Sequence, residues 1–512
     1  MTWLALHLPN LPLQLCTRAE DSADTPIAVF SATPSSGHPW RYGPSRQAGA
    51  SPPSGGRAGG PRLVAANARA LAAGIRPGLG LASALALAPD LVARPQDFRG
   101  EAALLDELAC WAAQFTPQLA LDAPDCVLLD VGASLRLFGG IGELMVRITH
   151  GAVALGLELS LAAAPTPLAA RWLAICGGGR IVERLDELPA RLAALPVGVL
   201  ESAAGGRDAV KAESVALLEA IGIGTIGQCL HLPRDGLARR DAQAVTRALD
   251  RAFGRLPDPR PPFVPPQTFR SRIELPLPSA NAEQLTFAAR RLLAALAGHL
   301  AAHQSGIEHY RLQLEHDELP ASVLGVHLGV IARDEARCSL LAREHIAALR
   351  LVAPVTAVAL EAAQILPLPG ESGTLFGAQL GNPREQAEAR TLLVERLRAR
   401  LGNDAVGCIE MHADHRPERA WQAVVPQDGR VARAHAHHPP PRPVWLLPEP
   451  QPLARGATLQ LVAGPERIEA GWWDGFDVAR DYHLALGPQR QLLWVFRELR
   501  DGESWFVHGV FG

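Results

Sequence analysis

Residues able to do chemistry by type and spacing fall in three places. The segment ALLEAIGIGTIGQCLHLPRDGLARR (216–240) ends a helix at Gly222, turns through Gly222-Ile223-Gly224-Thr225, and starts a second helix that Thr225 is placed to cap. This spacing predicts a helix-hairpin-helix, whose glycines let a phosphate approach the backbone N–H groups at the second helix's N-terminus. Arg234, Arg239 and Arg240 add charge nearby, and an ordinary tight αα-turn is the alternative. In FRSRIELPLP (269–278), alternation turns Arg270 and Arg272 outward, and Arg311 follows in HYRLQLEH (309–316). That exposed sheet face is either a phosphate-contacting surface or a solvated one. Third, Leu375-Phe376 is an apolar pair inside the Gly/Pro-rich tether QILPLPGESGTLFGAQLGNP (364–383), with no helical or strand context to bury it, and so suits a partner's pocket.

Other residues carry less. The cysteines Cys16, Cys110, Cys126, Cys176, Cys229, Cys338 and Cys408 are scattered, with no CxxC pair or zinc spacing, and read as reduced thiols. His435, His437 and His438 sit in HAHHPPPRP (435–443) without acidic or cysteine partners, so a linker is expected there and no metal site. Only 5% of the chain is aromatic, yet Trp445, Trp472, Trp473, Trp494 and Trp505 crowd into its last segment. Such a concentration marks a compact β-module or an interaction surface.

The chain has 512 residues, a net charge of −3 and a mean hydropathy of +0.07. At roughly 100–200 residues per domain, it should form several domains, each with its own core. Acidic and basic residues nearly cancel at 52 against 49, which excludes a generally polycationic coat; any nucleic-acid surface must be local. Lys211 is the only lysine, so the remaining cations are arginines suited to bidentate contacts. No apolar run reaches the roughly 18 residues of a membrane span, and no signal-like segment opens the chain, so a cytoplasmic, nucleoid-associated protein without membrane contact is expected.

Periodicity divides the chain into a multidomain α/β and α+β protein. Residues 1–185 alternate strands (WLALHL, PQLALD, CVLLDV, LELSLAAA) with helices near 101–116 and 140–155, and hold a Gly/Pro/Ser-rich, flexible insertion at 35–61. Residues 186–258 are helical, 259–267 form a proline-rich, semi-rigid linker, and 268–362 read β, α, β, β. The tether 363–383, an α/β segment 384–434, the His/Pro linker 435–443 and the aromatic tail 444–512 complete the order.

This order resembles the Y-family translesion DNA polymerases, with palm and fingers, thumb, and little finger in sequence. NARALAAGIRPGLGLASALALAPDLV (67–92), PDCVLLDVGASLRLFGG (124–140) and LSLAAAPTPLAARWLA (159–174) are similar to that family's fingers and palm, and IGIGTIGQCLHLP (221–233) to its thumb. The resemblance implies a polymerase-like right hand plus a C-terminal interaction region. In that family, acidic side chains hold two Mg²⁺ ions. Here His7 stands at the first-strand acidic position, and Asp125-Cys126 where an Asp-Glu pair would stand. Of the Tyr-x-x-Arg triphosphate clamp only Arg69 remains, and Pro167 replaces the later lysine.

So degenerate a centre resembles the ImuB subfamily of the bacterial DNA-damage mutasome, which shares the HLP-type first strand, the segment Asp414-His415-Arg416-Pro417-Glu418 and the aromatic tail. The resemblance implies a pseudo-polymerase without Mg²⁺ cofactor, acting in the SOS response and induced mutagenesis. Its implied partners are DNA, the β sliding clamp, a RecA-like ImuA protein and an error-prone C-family DNA polymerase. The implied clamp-binding residues are Thr374, Leu375 and Phe376, with Gln364 and Leu368 in a rival segment; Trp472, Trp473, Trp494 and Trp505 are the implied partner-docking residues. Two alternatives are a weakly active polymerase using Asp122 or Asp130, which strand alternation speaks against, and a stand-alone damaged-DNA-binding module.

Overall fold

The computed structural model describes residues 2–19, 25–31, 60–201, 209–232, 243–368, 383–402, 405–424, 442–454, 459–500 and 504–511. Arg234, Arg239, Arg240, Thr374-Leu375-Phe376, nearly all of the 35–61 insertion and His435 to His438 lie outside them. The chain separates into two units, Met1–Gly377 and Ala378–Gly512. No described helix is long and apolar enough to cross a membrane.

The first unit starts with β1 (Trp3–His7) and α1 (Leu11–Thr17). Strands β2 (Ile27–Ser31), β3 (Arg62–Ala66) and β4 (Val92–Pro95) form a small sheet ordered β3-β2-β4, with α2 (Ala68–Ala72) and α3 (Leu81–Leu87) between its last two strands in sequence. Helix α4 (Phe98–Ala112) leads to the hairpin β5 (Leu119–Asp122) and β6 (Cys126–Asp130). Then follow α5 (Leu135–Phe138), α6 (Ile141–Leu155), β7 (Ser160–Ala164), α7 (Pro167–Ile175) and β8 (Arg180–Ile181).

The central sheet is ordered β5-β6-β1-β7-β8, with β1 antiparallel to both neighbours. Both faces are buried, which is why its strands read as continuous apolar runs. Leu4, Leu6, Val127 and Leu129 meet α4 and α6, while Ala5, Cys126, Leu128 and Ala162 meet α7 and the helical residues 188–253. In that helical part α8 (Leu188–Leu192), α9 (Ala212–Ala220) and α10 (Ile226–Leu230) precede a helix at Gln243–Ala252.

The next module contains β9 (Phe269–Ser279), a long helix Ala282–Ala302, β10 (Ser305–His316), β11 (Ser322–Ala332), a helix Glu335–Ala348 and β12 (Val355–Ala362). The expected β, α, β, β is therefore extended by a second helix and by β12, which inserts between β10 and β9 in the order β11-β10-β12-β9. The long helix is buried on both sides, against its own sheet and against α4 and α6. Trp111 of α4 sits at that junction, where a methyl group added to Gly151 or Gly298 would overlap its indole. Two glycines thus let three helices close around one large ring.

In the second unit, the helix Pro383–Leu401 is followed by a hairpin at Cys408–Met411 and Trp421–Val424, then by a five-stranded antiparallel sheet spanning Trp445–Val510. One edge strand of that sheet, WLLPEPQP, carries three prolines, which deny an incoming chain the amides it would need to pair. Its core stacks Tyr482 on Trp494 at 4.1 Å, with Phe496 and His508 alongside.

Candidate active site: an acidic centre held by arginines

Strand pairing assembles the centre. Across β5, β6, β1 and β7, the residues Asp122, Cys126, His7 and Ser160 lie opposite one another in one row. Because His7, Cys126 and Asp122 are cross-strand neighbours, they share the face covered by α7. Asp125, in the β5–β6 turn, stands at the open end of that row, with its carboxylate 3.5 Å from His7 Nε2. The backbone N–H of Leu8 donates to the Asp125 carbonyl at 2.8 Å, fixing the turn against β1.

Cations from two directions meet these carboxylates. Helix α7 starts at Thr166, whose hydroxyl accepts the Ala169 N–H and donates to the Ala252 carbonyl, with Pro167 in its first turn. One turn after Pro167, Arg171 lies over the row with its Nε 2.9 Å from Asp122 and an Nη nitrogen 3.7 Å from Asp125. From the opposite side Arg260 donates to Asp122 Oδ1 at 2.8 Å and to Asp258 at 2.8 Å. Arg171 and Asp122 are both at least nine-tenths buried. Burial opposes the charge on each arginine, but the carboxylates, Asp122 foremost, outweigh it and hold both guanidiniums above their usual range. Burial pushes the Cys126 thiol well up, so it is a neutral thiol.

These donors do not fit a pair of Mg²⁺ ions. Magnesium requires several hard oxygens in octahedral geometry. The centre instead presents a neutral thiol, an imidazole and two carboxylates; both Asp122 oxygens already face guanidinium groups, and Asp125 lies 3.7 Å from Arg171. Among the described residues, no three His, Cys, Asp or Glu side chains converge to hold a metal ion.

Alternation was expected to place Asp122 and Asp130 away from the centre. Asp122 is in fact part of it, because the turn brings the last residue of β5 beside the first of β6. Asp130 shares a face with Cys126 but sits at the far end of β6 opposite Trp3, where its carboxylate accepts the Gly132 N–H. Neither Arg171 nor Arg260 was identified from sequence; the available signals were an arginine one helical turn after Pro167, and the Asp-Pro-Arg charges inside a proline-rich run. That run is also no free linker, since the Phe263 N–H donates to the Leu119 carbonyl of β5 at 2.9 Å and Phe263 packs on the core.

The helix-hairpin-helix offers less than its pattern suggests. Gly222 is left-handed (φ 86°), and Thr225 and Gln228 form a reciprocal capping box. Gln228 Oε1 accepts the N–H groups of Gly224 and Thr225, while those of Ile226 and Gly227 go to the carbonyls of Leu195 and Ala193. The amides that a phosphate would use are thus satisfied within the chain, the geometry of an αα-turn docked on its neighbour.

Arg270 and Arg272 do face outward on β9. However, Arg272 is paired with Glu315 at 2.9 Å and Glu274 at 3.4 Å, and Arg270 lies across from Glu361, which lies across from Arg311. The face is charge-balanced, not a basic stripe. Arg69 is exposed on α2, two residues after the Asn67 cap. The rival clamp segment is committed to the fold: Leu366–Pro367 pairs with the start of β10, and the Leu368 N–H reaches the Gln304 carbonyl.

The four tail tryptophans separate. Trp494 is 2% exposed and belongs to the core, Trp505 is half-buried, and Trp472 and Trp473 are 78% and 56% exposed. The Asp414 to Glu418 segment supports the turn that displays them. Arg416, itself buried, donates to Asp414 at 2.6 Å, to Asp474 at 2.7 Å and to the Phe476 carbonyl at 3.0 Å, and Arg480 binds Glu418 at 3.0 Å.

Residues 25–174 match the model of the impB/mucB/samB family. The chain is 29% identical over 472 residues to Protein ImuB of Caulobacter vibrioides, in strain NA1000 / CB15N and in strain ATCC 19089 / CIP 103742 / CB 15; the match covers 86% of this chain and all of that protein. Among solved structures, a Y-family DNA polymerase chimera of Dbh and Dpo4 aligns at 14% identity and a TM-score of 0.37, covering 71% of this chain and 99% of that one. DinB from Sulfolobus solfataricus aligns at 14% and 0.37, covering 72% and 100%. The chain thus matches the impB/mucB/samB family model over residues 25–174 and is similar to Protein ImuB over most of its length.

Proposed function

We propose that this chain is a non-catalytic adaptor of bacterial translesion DNA synthesis, working at the nucleoid in the cytoplasm during induced mutagenesis. In this reading it engages DNA and the β sliding clamp, and with a RecA-like ImuA protein it brings in an error-prone C-family DNA polymerase that performs the synthesis. Similarity to Protein ImuB supports the assignment to translesion synthesis.

The observation that carries the non-catalytic part is the pair of guanidinium groups on Asp122. Two-metal nucleotidyl transfer needs cations that can bind the triphosphate and polarise the primer hydroxyl. An arginine held by a buried carboxylate supplies charge but no open coordination position, and it cannot be deprotonated to share a proton. Without the metal pair, the developing negative charge of the transition state has no partner, a loss of many orders of magnitude in rate.

The recruitment part rests on Leu375-Phe376, an apolar pair of the kind that fills a pocket on a partner. Binding of the purified chain to the β sliding clamp, measured by surface plasmon resonance, should fall at least about tenfold in a Leu375→Ala, Phe376→Ala variant, the loss of roughly 1.4 kcal/mol or more. Equal binding by both proteins would remove this segment as the clamp anchor.

A further inference from the structure

The proline-rich run between Gly254 and Phe269 does more than join two modules. It passes β5, an edge strand of the central sheet, and touches it at two points: the Arg260 guanidinium on the Asp122 carboxylate and the Phe263 N–H on the Leu119 carbonyl. Prolines at 257, 259, 261 and 262 have no N–H to pair with that edge and favour an extended backbone, so the segment cannot hold on as a sheet strand would. Three things fix it instead: the Phe263 amide, the Phe263 ring against the core, and Arg260 bridging Asp122 and Asp258 at 2.8 Å each.

We propose that Asp258–Phe263 is a strap clasped onto the degenerate centre, and that Asp122 now serves as its anchor. The clasp takes up the carboxylate charge that a metal would otherwise neutralise and sets where β9 and its module leave the central sheet. The inference rests on the reading of this centre as non-catalytic. It adds that the cation has been replaced from within the chain, by Arg171 from α7 and by Arg260 from the strap.

Hydrogen exchange of the full chain, read by mass spectrometry on the peptide covering residues 258–268, isolates the strap, because its prolines leave few amides and Phe263 is the one bonded to β5. Arg260→Met and Asp122→Asn should each speed exchange at Phe263 by about tenfold or more, with the double variant no faster than the quicker single variant, as expected for one shared interaction. Arg260→Met keeps the apolar stem of the side chain and leaves Arg171 on Asp122, so it retains the fold should Asp122→Asn lose it; melting curves establish which variants are folded. Millimolar MnCl₂ should leave the wild-type exchange unchanged. Unaltered exchange in a folded Arg260→Met protein, or loosening of the wild-type strap by Mn²⁺, would overturn the proposal. Primer extension by the wild-type chain would instead sink the non-catalytic reading, so the two failures are distinguishable.

Discussion

Gly298→Ala places two effects of known size in opposition. Glycine inside a helix costs about 1 kcal/mol relative to alanine, so an unobstructed substitution would stabilise the chain by that amount. At Gly298, however, the new methyl would overlap the Trp111 indole and lie 2.8 Å from Gln114 Nε2. Trp111 is 5% exposed, with Phe115 packed edge-on at 5.2 Å. Overpacking of this kind costs roughly 1–3 kcal/mol and here also strains the docking of the long helix on α4, so the gain is cancelled and the net expectation is a loss of up to about 2 kcal/mol. Urea unfolding of the first unit, followed by tryptophan fluorescence, measures it. Gly142→Ala on α6, where nothing lies within 4 Å of the added methyl, is the matched control and should gain up to about 1 kcal/mol. Trp111→Leu in the Gly298→Ala background should recover part of the loss by shrinking the obstructing ring. Equal gains at Gly298 and Gly142 would refute the claim that the module is keyed to the central sheet through Trp111.

Other expectations follow from buried groups. His299 is fully buried and its imidazolium is disfavoured, so its pKa falls to about 4 from an ordinary value near 6.5. The unfolded chain therefore takes up a proton first as pH drops, and stability should decline between about pH 6.5 and 4 by up to about 3 kcal/mol, a slope that His299→Phe should flatten. Burial pushes Glu101 the other way, up to about 7, so the native state holds its proton while the unfolded state releases it, and stability falls as pH rises from about 4.5 to 7. Glu101→Gln should thus stabilise the chain by up to about 3 kcal/mol at pH 8, read by denaturant titration. In the second unit, Trp494→Ala should cost about 3–5 kcal/mol, whereas Trp472→Ala should change stability by less than about 0.5 kcal/mol, since one ring is enclosed and the other meets solvent. Arg171→Met should destabilise by about 3–5 kcal/mol in thermal or urea unfolding by leaving buried Asp122 short of a cation; a neutral result would mean that Arg260 alone suffices.

What the sequence made legible is what local spacing controls. The alternation of FRSRIELP maps directly onto the in-out burial of β9, and the hairpin glycines and Thr225 cap appear where their backbone demands placed them. The row His7, Cys126 and Asp122 was only partly legible, because alternation describes one strand while the row depends on register between strands. Arg260 lies 138 residues from Asp122, and a charged residue among prolines looks like a solvated linker until the edge strand beside it is known. Trp494 and Trp472 share a residue type and a neighbourhood in sequence, and only the stacking of Trp494 on Tyr482 separates core from surface. The hairpin pattern likewise could not reveal that Gln228, Leu195 and Ala193 already satisfy its amides. A motif fixes backbone shape, but whether its hydrogen-bonding groups are free depends on what packs against them.

The most direct test of the central claim is primer extension on a damaged template with Mg²⁺ or Mn²⁺, comparing the purified wild-type chain with an Asp125→Asn variant. A centre occupied by Arg171 and Arg260 predicts no nucleotide addition by either protein with either metal. Extension by the wild type that disappears in Asp125→Asn would show that the acidic row still binds catalytic metal, and the adaptor account would be contradicted.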